Sequence, residues 1–285
     1  MVELMQAILS GFLIGLAYAL LSVGFSLNWG AVGGINVSHS AWAVFGAYIA
    51  YFVTSQLNLN PLLSLVIIIP LFFLIGVVLN KTLFMFLAKR SKNIGFSSMV
   101  LTFGLAVALE NIMMWVFTAD PRVLKSDFSL TSYNLGSVYI SGGQILAALL
   151  SIFSLGLIFY FLYHTYTGKA VRAYEQEQAG AALTGINTGK VTSVTTGISL
   201  ASAGVAGVAL SLLFPFEPTI HMTWLINIFL VVLLGGVGNI LGTLIGGLAV
   251  GMIITVSGVW VPYSLVNLVM FVILILILII RKRET

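Results

Sequence analysis

Residues 166–190 read YTGKAVRAYEQEQAGAALTGINTGK, and they form the one long run in this chain that is typical of a water-facing helix. Only 7% of the 285 residues are charged, yet this run carries five of them: Lys169, Arg172, Glu175, Glu177 and Lys190. Because Ala, Arg, Glu, Gln and Lys favour helix, the stretch predicts a helix over residues 169–183. Thr167 or Gly168 is expected to cap its start, and Gly185 is suited to a left-handed residue at its end.

The rest of the chain is strongly apolar. The sequence is 60% hydrophobic, and its mean hydropathy is +1.12. A soluble domain carries roughly a quarter charged residues, so this chain has too little polar surface to cover a body in water. Its apolar runs approach the roughly 20 residues that cross a bilayer as a helix, and they are continuous rather than alternating, which excludes a membrane β-barrel. The composition predicts an all-α, polytopic membrane helical bundle, a single transmembrane domain over residues 1–285.

About eight or nine spans are expected. They cover residues 5–27, 41–53, 61–79, 95–117, 142–163, the Gly-, Ser- and Thr-rich stretch up to residue 213, and residues 222–234, 243–256 and 262–280. Residues 41–53 are short for a span and borrow length from the glycine stretch before them, or else form a re-entrant helix. The small residues after Lys190 predict tight packing inside the bundle.

The basic residues predict the orientation. Placing residues 81–92, residues 169–190 and the C-terminal tail in the cytoplasm puts ten of the twelve Lys and Arg residues inside, as the positive-inside bias requires. Segment 166–190 is then cytoplasmic. Nine spans place the N-terminus outside, and eight spans place it inside. Glu3 and the absence of nearby Lys or Arg favour the outside position, with the first apolar run kept as a span.

Two glycine-rich stretches predict broken helices. The first contains Gly30, Gly33 and Gly34, and the second contains Gly235, Gly236 and Gly238. GAVGGI at residues 30–35 is similar to GGVGNI at residues 235–240, which fits either an internal repeat or chance in glycine-rich sequence. Repeated broken helices are a known way to place a substrate path near the middle of a membrane.

Few residues are candidates for chemistry. The chain has no GxxxxGK[ST] phosphate loop, no HExxH pair and no nucleophile elbow, and it has no cysteine. Its three histidines, His39, His164 and His221, lie at a helix break and at two span ends without a metal-ligand spacing. We therefore expect no catalytic residues and no metal site.

Polar residues within the apolar runs are candidates for a translocation path. Asn36, Ser38 and His39 follow the first glycine break, where unwound backbone is tolerated only inside protein or along a wet cavity. Glu110 and Asn111 interrupt the span over residues 95–117. An ionised carboxylate there costs several kcal/mol, so Glu110 either lines a path or is a neutral acid bonded to Asn111 or to a neighbouring helix. A single intramembrane acid argues against a proton-driven transporter.

Segment 166–190 has two possible roles outside the bilayer. It could lie on the membrane surface, but alanine is a weak lipid anchor and the segment has no Trp or Phe. A helix rich in small residues favours docking into a groove of another protein, where the backbones approach closely.

Three blocks resemble one known family. Residues 15–50, GLAYALLSVGFSLNWGAVGGINVSHSAWAVFGAYIA, are similar to the N-terminal signature of permease subunits of branched-chain amino acid ABC importers. Residues 165–187, TYTGKAVRAYEQEQAGAALTGIN, resemble that family's cytoplasmic TxxGxAxRAxxxxxxxAxxxGIN segment. Residues 234–251, LGGVGNILGTLIGGLAVG, resemble its GGxGSxxGxxxGGxxxG run, and the blocks occur in the family's order.

The resemblance implies roles by position. Residues 170–185 would be the coupling helix that fits an ATPase subunit, with Arg172, Ala181 and Gly185 on fixed positions of the pattern and Glu175, Glu177 and Ala182 between them. Asn36, Ser38 and His39 would lie in the broken helix near the path. The chain departs from the pattern at Ser38-His39-Ser40, where the family has AHG, and at Glu110, where an uncharged polar residue is usual.

The resemblance also implies partners. These are ATPase subunits that bind the ATP, a second permease that is identical or homologous, and a soluble or lipid-anchored binding protein, in a bacterial cytoplasmic membrane. The chain itself would need no cofactor and no nucleic acid, and it would not be an enzyme. The alternatives are an importer permease for urea, amides, nucleosides, sugars or another small solute, a self-contained secondary transporter or channel, and a membrane scaffold.

Overall fold

A computed structural model describes residues 2–125, 128–262, 265–266, 268–273 and 275, with Leu135 described by its backbone alone. Eleven α-helices and one hairpin form the described part of the chain. They are α1 (Val2–Val32), α2 (His39–Leu57), α3 (Leu65–Leu79), α4 (Met85–Arg90), α5 (Ile94–Phe117), β1 (Ser132–Leu135), β2 (Val138–Ser141), α6 (Gly142–His164), α7 (Tyr166–Gln176), α8 (Gln178–Leu183), α9 (Thr188–Leu213), α10 (His221–Gly235) and α11 (Ile240–Ser257). A π-helical turn (Asn80–Phe84) joins α3 to α4, and short 3-10 turns precede α3 and α10.

The described residues contain seven helical segments that are long and apolar enough to cross a membrane. They are Val2–Val32, Pro61–Arg90, Ile94–Phe117, Gly142–His164, Thr188–Leu213, Pro218–Gly235 and Ile240–Ser257. Helix α2 is less apolar, but its 19 residues reach about 28 Å, close to the thickness of the hydrocarbon core. Of the span predicted over residues 262–280, nine residues lie outside the described residues, and residues 265–266, 268–273 and 275 are helical. The predicted polytopic helical bundle is confirmed.

Lipid-facing surface is visible on the peripheral helices. Helices α3, α5 and α6 carry large apolar side chains that are mostly exposed, among them Val66, Phe96, Trp115 and Phe153. Exposed apolar surface of this extent is not tolerated in water, and it fits contact with lipid tails.

Helix α9 lies at the centre of the bundle. Its small residues let α1, α2 and α3 approach its backbone closely, as its composition predicts. A Cβ atom on Gly207 would lie 1.8 Å from the carbonyl oxygen of Ala43 in α2, and one on Gly24 of α1 would lie 3.0 Å from that of Ser199. A Cβ on Gly76 of α3 would lie 2.5 Å from the carbonyl oxygen of Thr196.

Helices α1 and α11 pack closely through two glycines on each helix. Gly11 and Gly15 of α1 face Gly247 and Gly251 of α11, and each pair has the four-residue spacing that aligns small residues on one helix face. A Cβ on Gly251 would lie 2.4 Å from the Cα of Gly15. The N-terminal helix is thereby held against the last of the eleven helices.

Both predicted helix breaks are present, but each begins later than expected. Gly33 (φ +71°) ends α1, and Gly34 follows it in the connection to α2. Gly30 lies inside α1, so the break expected there is wrong. In the second stretch Gly235 is the last residue of α10, and the chain turns at Gly236 (φ +91°) and Gly238 (φ +75°). In both stretches the break starts where the backbone first needs a positive φ, which glycine adopts at low cost.

Segment 166–190 forms two helices instead of one. Glu177 is extended (φ −152°, ψ 102°), and its side chain accepts a hydrogen bond from the Ala179 amide, so it ends α7 and caps α8. The start of α7 is capped by Thr165, whose hydroxyl accepts from the Gly168 amide, and not by Thr167 or Gly168. The left-handed residue predicted at Gly185 is confirmed (φ +84°).

The bundle has two distinct ends. At the hairpin end, the Gln6 side chain bonds the backbone of Tyr139 in β2 through two 2.8 Å hydrogen bonds. At the α7–α8 end, Lys89 of α4 and Tyr174 of α7 line one crevice. The basic residues of the connection over residues 81–92 and those of segment 166–190 therefore lie at one end of the bundle.

Candidate translocation path and coupling segment

The first helix break holds a buried polar cluster. The Ser38 hydroxyl donates to Asn36 Oδ1 at 2.7 Å, and the Asn36 Nδ2 atom is buried without a hydrogen-bond partner. Asn36, Ser38 and His39 are at most 1% exposed. The structure thus brings together three of the five residues predicted for the path.

His39 links this cluster to α1 and α9. Its Nε2 atom lies 3.0 Å from the carbonyl oxygen of Leu21, and its Nδ1 atom lies 3.4 Å from the Ser199 hydroxyl. Since a carbonyl oxygen can only accept, Nε2 carries the proton, and in a neutral ring Nδ1 accepts from Ser199. His39 therefore joins α1 to α9.

Two hydroxyl residues of α5 satisfy the unwound backbone between α1 and α2. Ser98 accepts a hydrogen bond from the Ile35 amide at 2.9 Å, and Thr102 accepts one from the Val37 amide at 2.9 Å. Unwound backbone at membrane depth requires such partners. The sequence interpretation missed both residues, although two hydroxyls four residues apart in an apolar helix were a usable signal.

Further polar pairs continue along α9 toward the α7–α8 end. Thr196 donates to Asn28 Oδ1 of α1 at 2.8 Å. Asn80, in the π-helical turn, donates to Thr192 and Ser193 at 3.0 Å each. All five side chains are buried, and none was predicted. Together with the His39 cluster they form a polar track inside an otherwise apolar bundle.

Glu110 pairs with a histidine on another helix. Its Oε2 atom lies 2.7 Å from Nε2 of His221, the first residue of α10, and the His221 side chain is fully buried. Of the partners considered from sequence, a neighbouring helix is correct and Asn111 is not. Asn111 is exposed, and its amide donates to the Val107 carbonyl oxygen within α5. Thr102 marks the level of the first break on α5, and Glu110 lies eight residues, about 12 Å along the helix, beyond it. Glu110 and Asn111 therefore do not join the His39 cluster.

Helix α7 packs on the chain's own bundle. Gly168 and Val171 are buried, and a Cβ on Gly168 would lie 2.0 Å from the carbonyl oxygen of Phe161. The Arg172 guanidinium donates from Nε to the Leu162 carbonyl oxygen at 3.1 Å and lies 4.2 Å from the centre of the Tyr163 ring. Arg172 is therefore fixed at the end of α6.

Glu175 lies between the two glycine stretches. A Cβ on Gly30 would lie 2.9 Å from Glu175 Oε1, and one on Gly238 would lie 4.0 Å from the same atom. This Oε1 atom is buried without a hydrogen-bond partner. Burial raises the pKa of Glu175 to about 8, although the nearby Arg172 charge acts in the opposite direction. The side chain fits there because neither glycine presents one.

Helix α8 offers the exposed surface of the segment. Ala181 is buried, while Glu177, Ala182, Leu183 and Gly185 are exposed, Leu183 by 89%. The six coupling residues implied by the family resemblance thus divide into two groups. Arg172, Glu175 and Ala181 face the chain itself, and the other three face outward.

The described residues contain no group of three His, Asp or Glu side chains that could hold a metal ion. Their polar groups form hydrogen-bonded networks and one buried acid–histidine pair, arrangements suited to binding and conformational change.

The comparisons with known proteins agree with these features. Residues 7–279 match the family model described as branched-chain amino acid transport system / permease component. The chain is 25% identical to the high-affinity branched-chain amino acid transport system permease protein LivH of Salmonella typhimurium, over 97% of this chain and 93% of the relative. It is 26% identical to the permease protein BraD of Pseudomonas aeruginosa, over 87% and 84% of the two chains.

A more distant kind of permease is also similar. The ribose import permease protein RbsC of Haemophilus influenzae is 28% identical over 84% of this chain and 71% of its own. No solved structure gives a significant match. Since the family model covers nearly the whole chain, this multi-pass membrane protein belongs to the family of permease components of branched-chain amino acid transport systems, and it is a transport subunit rather than an enzyme.

Proposed function

We propose that this chain carries branched-chain amino acids across a bacterial cytoplasmic membrane as one of two permeases in an ATP-driven importer. Relatives named as branched-chain amino acid permeases support this substrate class. The partners would be ATPase subunits, a second permease and a soluble or lipid-anchored binding protein. ATP would be bound by the ATPase subunits, since the chain has no phosphate-binding loop.

One observation carries the proposal, the position of Glu175. It belongs to the segment that presents α8 outward, and it lies against Gly30 of α1 and Gly238 of the α10–α11 break. A movement of α8 that is passed to α7 would therefore act on α1 close to the first break and on the second break. A coupling segment needs such a contact, because it must pass movement from an ATPase to the transport path.

The buried polar cluster supports alternating access. Asn36, Ser38 and His39 are closed off from both ends, so a solute reaches them only after helices move. We place the α7–α8 end in the cytoplasm, because the basic residues of the described connections gather there. The hairpin end would then face the binding protein.

Reconstitution tests this function. The complete transporter in proteoliposomes, with ATP inside and the loaded binding protein outside, should take up radiolabelled leucine. Omission of either the ATP or the binding protein should reduce uptake to background. Uptake by this chain alone under an ion gradient would instead show a secondary transporter, and ATP-driven uptake of ribose or urea but not leucine would overturn the proposed substrate.

A further inference from the structure

A second polar cavity lies at the α7–α8 end, apart from the His39 cluster. It has a volume of about 390 Å³ and is lined by Gly30, Tyr163, Arg172, Glu175, Gln176 and Asn239, together with apolar residues of the α10–α11 connection. We call it the α7 cavity. Its volume falls within the range of small-molecule sites, roughly 300–1,000 Å³.

The α7 cavity is lined by a cationic and an acidic side chain that do not form an ion pair with each other. The ion pairs between described residues at 4.0 Å or less are Arg122–Asp120 and His221–Glu110, so Arg172 and Glu175 are farther apart than that. Arg172 is fixed instead by the Leu162 carbonyl oxygen and the Tyr163 ring. Arg172 and Glu175 therefore line the same space without pairing with each other.

Glu175 lacks a partner that a ligand could supply. Its Oε1 atom is buried and accepts no hydrogen bond. A buried polar atom in this state costs free energy, and an acid with a raised pKa ionises more readily when a cation arrives. The pKa of about 8 reflects this burial. Glu175 lines the cavity, and an ammonium group bound beside its carboxyl group would favour the ionised form.

The remaining walls suit the rest of an amino acid. The guanidinium of Arg172 donates to carboxylates in a planar geometry, and its Nε atom alone is committed to Leu162. Val237 and Ile240 provide apolar surface beside the charged groups. The cavity thus offers a carboxyl group, a guanidinium group and an apolar wall to one ligand.

We propose that the α7 cavity binds a free zwitterionic amino acid with a branched apolar side chain, with its ammonium group on Glu175 and its carboxylate on Arg172. The choice of a branched side chain rests on the proposed function. A bound amino acid would join α7 to the α10–α11 break and would hold these elements in the arrangement described here, in which the His39 cluster is closed to solute. Imported solute that accumulates on this side would then slow its own uptake.

Equilibrium binding to the purified chain in nanodiscs, without binding protein or ATPase, tests the site. Radiolabelled leucine should bind saturably with a Kd on the order of 1 mM, the weak range of binding free energies. Neither 3-methylbutylamine, which lacks the carboxylate, nor 4-methylpentanoate, which lacks the ammonium group, should displace it at equal concentration. Absence of saturable leucine binding would overturn the proposal, as would equal competition by either analogue.

Variants locate the binding. Glu175→Gln keeps the side-chain shape and should weaken leucine binding at least tenfold, as should Arg172→Gln. Glu3→Gln makes the same chemical change at an exposed position of the hairpin end and should leave binding unchanged. Leucine binding that survives Glu175→Gln would place the ligand elsewhere and refute the site.

A second readout uses the complete transporter. Leucine loaded on the ATP side should lower the initial rate of uptake at least threefold, and this ratio should approach one in any Glu175→Gln transporter that retains uptake. A transporter that imports leucine while its isolated permease binds none would contradict the α7 cavity and leave the proposed function intact. Leucine binding by the chain, without leucine uptake by the transporter, would support the cavity and contradict the proposed substrate.

Discussion

Glu110 Oε2 and His221 Nε2 lie 2.7 Å apart and join the middle of α5 to the first residue of α10. The imidazole is fully buried, and its Nδ1 atom has no hydrogen-bond partner. The carboxyl group therefore supplies the hydrogen bond that this ring makes. Glu110 lies within an apolar helix, and its partner is a histidine on another helix and not a second acid.

Glu110→Ala should destabilise the isolated chain by about 1–3 kcal/mol, because it leaves a buried imidazole without its hydrogen bond. His221→Ala should cost a similar amount. Thermal unfolding in detergent measures both, and the double variant should be less destabilised than the sum of the single variants, since the two residues share one interaction. Asn111→Ala is the matched control on the exposed face of α5, with an expected effect within about 0.5 kcal/mol. Strictly additive effects would show that the pair does not interact.

Gly251→Ala should destabilise the chain by about 1–3 kcal/mol, or prevent its folding, because the new Cβ would lie 2.4 Å from the backbone of Gly15. Gly104→Ala is the matched control, since a Cβ at Gly104 meets no atom within 4 Å. It should leave the chain equally stable or slightly more stable, because alanine favours helix. Unfolding temperatures of the purified variants give the comparison, and a tolerated Gly251→Ala would contradict close contact of α1 with α11.

The fold was predictable because each long apolar run by itself indicates a membrane-spanning helix. A run of about 20 apolar residues has no stable alternative to a spanning helix in lipid, so the spans could be assigned without knowledge of their neighbours. The small residues of α9 indicated close packing, but not the partner of each face. That Gly15 meets Gly251 depends on the arrangement of the whole bundle, which no local pattern contains.

The polar positions were harder to predict for the same reason. Asn36, Ser38 and His39 could be predicted from the sequence because they follow a glycine break. Ser98 and Thr102 are two hydroxyls four residues apart in an apolar helix, but only the position of the unwound Ile35–Val37 backbone shows what they bind. The break inside segment 166–190 was missed because Glu177 caps a helix through its side chain, whereas its helix propensity is high.

Glu175→Gln should stabilise the chain increasingly as the pH rises. The pKa of Glu175 is raised from 4.5 to about 8 in the folded chain, so between these values the folded state holds a proton that the unfolded state releases. The free energy of unfolding of the parent therefore falls as pH rises from 4.5 to about 8, and then levels off. Glutamine has no such dependence. Burial raises the pKa of the neighbouring Tyr174 further above this window, so Tyr174 does not contribute to the change.

The difference in unfolding temperature between Glu175→Gln and the parent measures this effect at pH 5.5, 7.0 and 8.5. It should be more positive at pH 8.5 than at pH 5.5. Glu3→Gln reports the effect of removing an exposed carboxyl group under the same conditions. A Glu175→Gln difference that does not change with pH would show that the Glu175 carboxyl is solvated rather than buried against Gly30.

Ala182→Trp should separate ATP hydrolysis from uptake in the complete transporter. Ala182 is exposed on α8, so a large side chain there projects away from the bundle and should change the stability of the isolated chain by less than about 0.5 kcal/mol. Docking of a small-residue helix depends on close approach, which an indole ring would prevent. Leucine uptake should fall at least tenfold while ATP hydrolysis by the partner subunits continues. Phe153→Trp, on the exposed apolar face of α6, introduces the same ring away from this surface and should retain uptake. Normal uptake in Ala182→Trp, with its unfolding temperature unchanged, would remove α8 from the coupling surface.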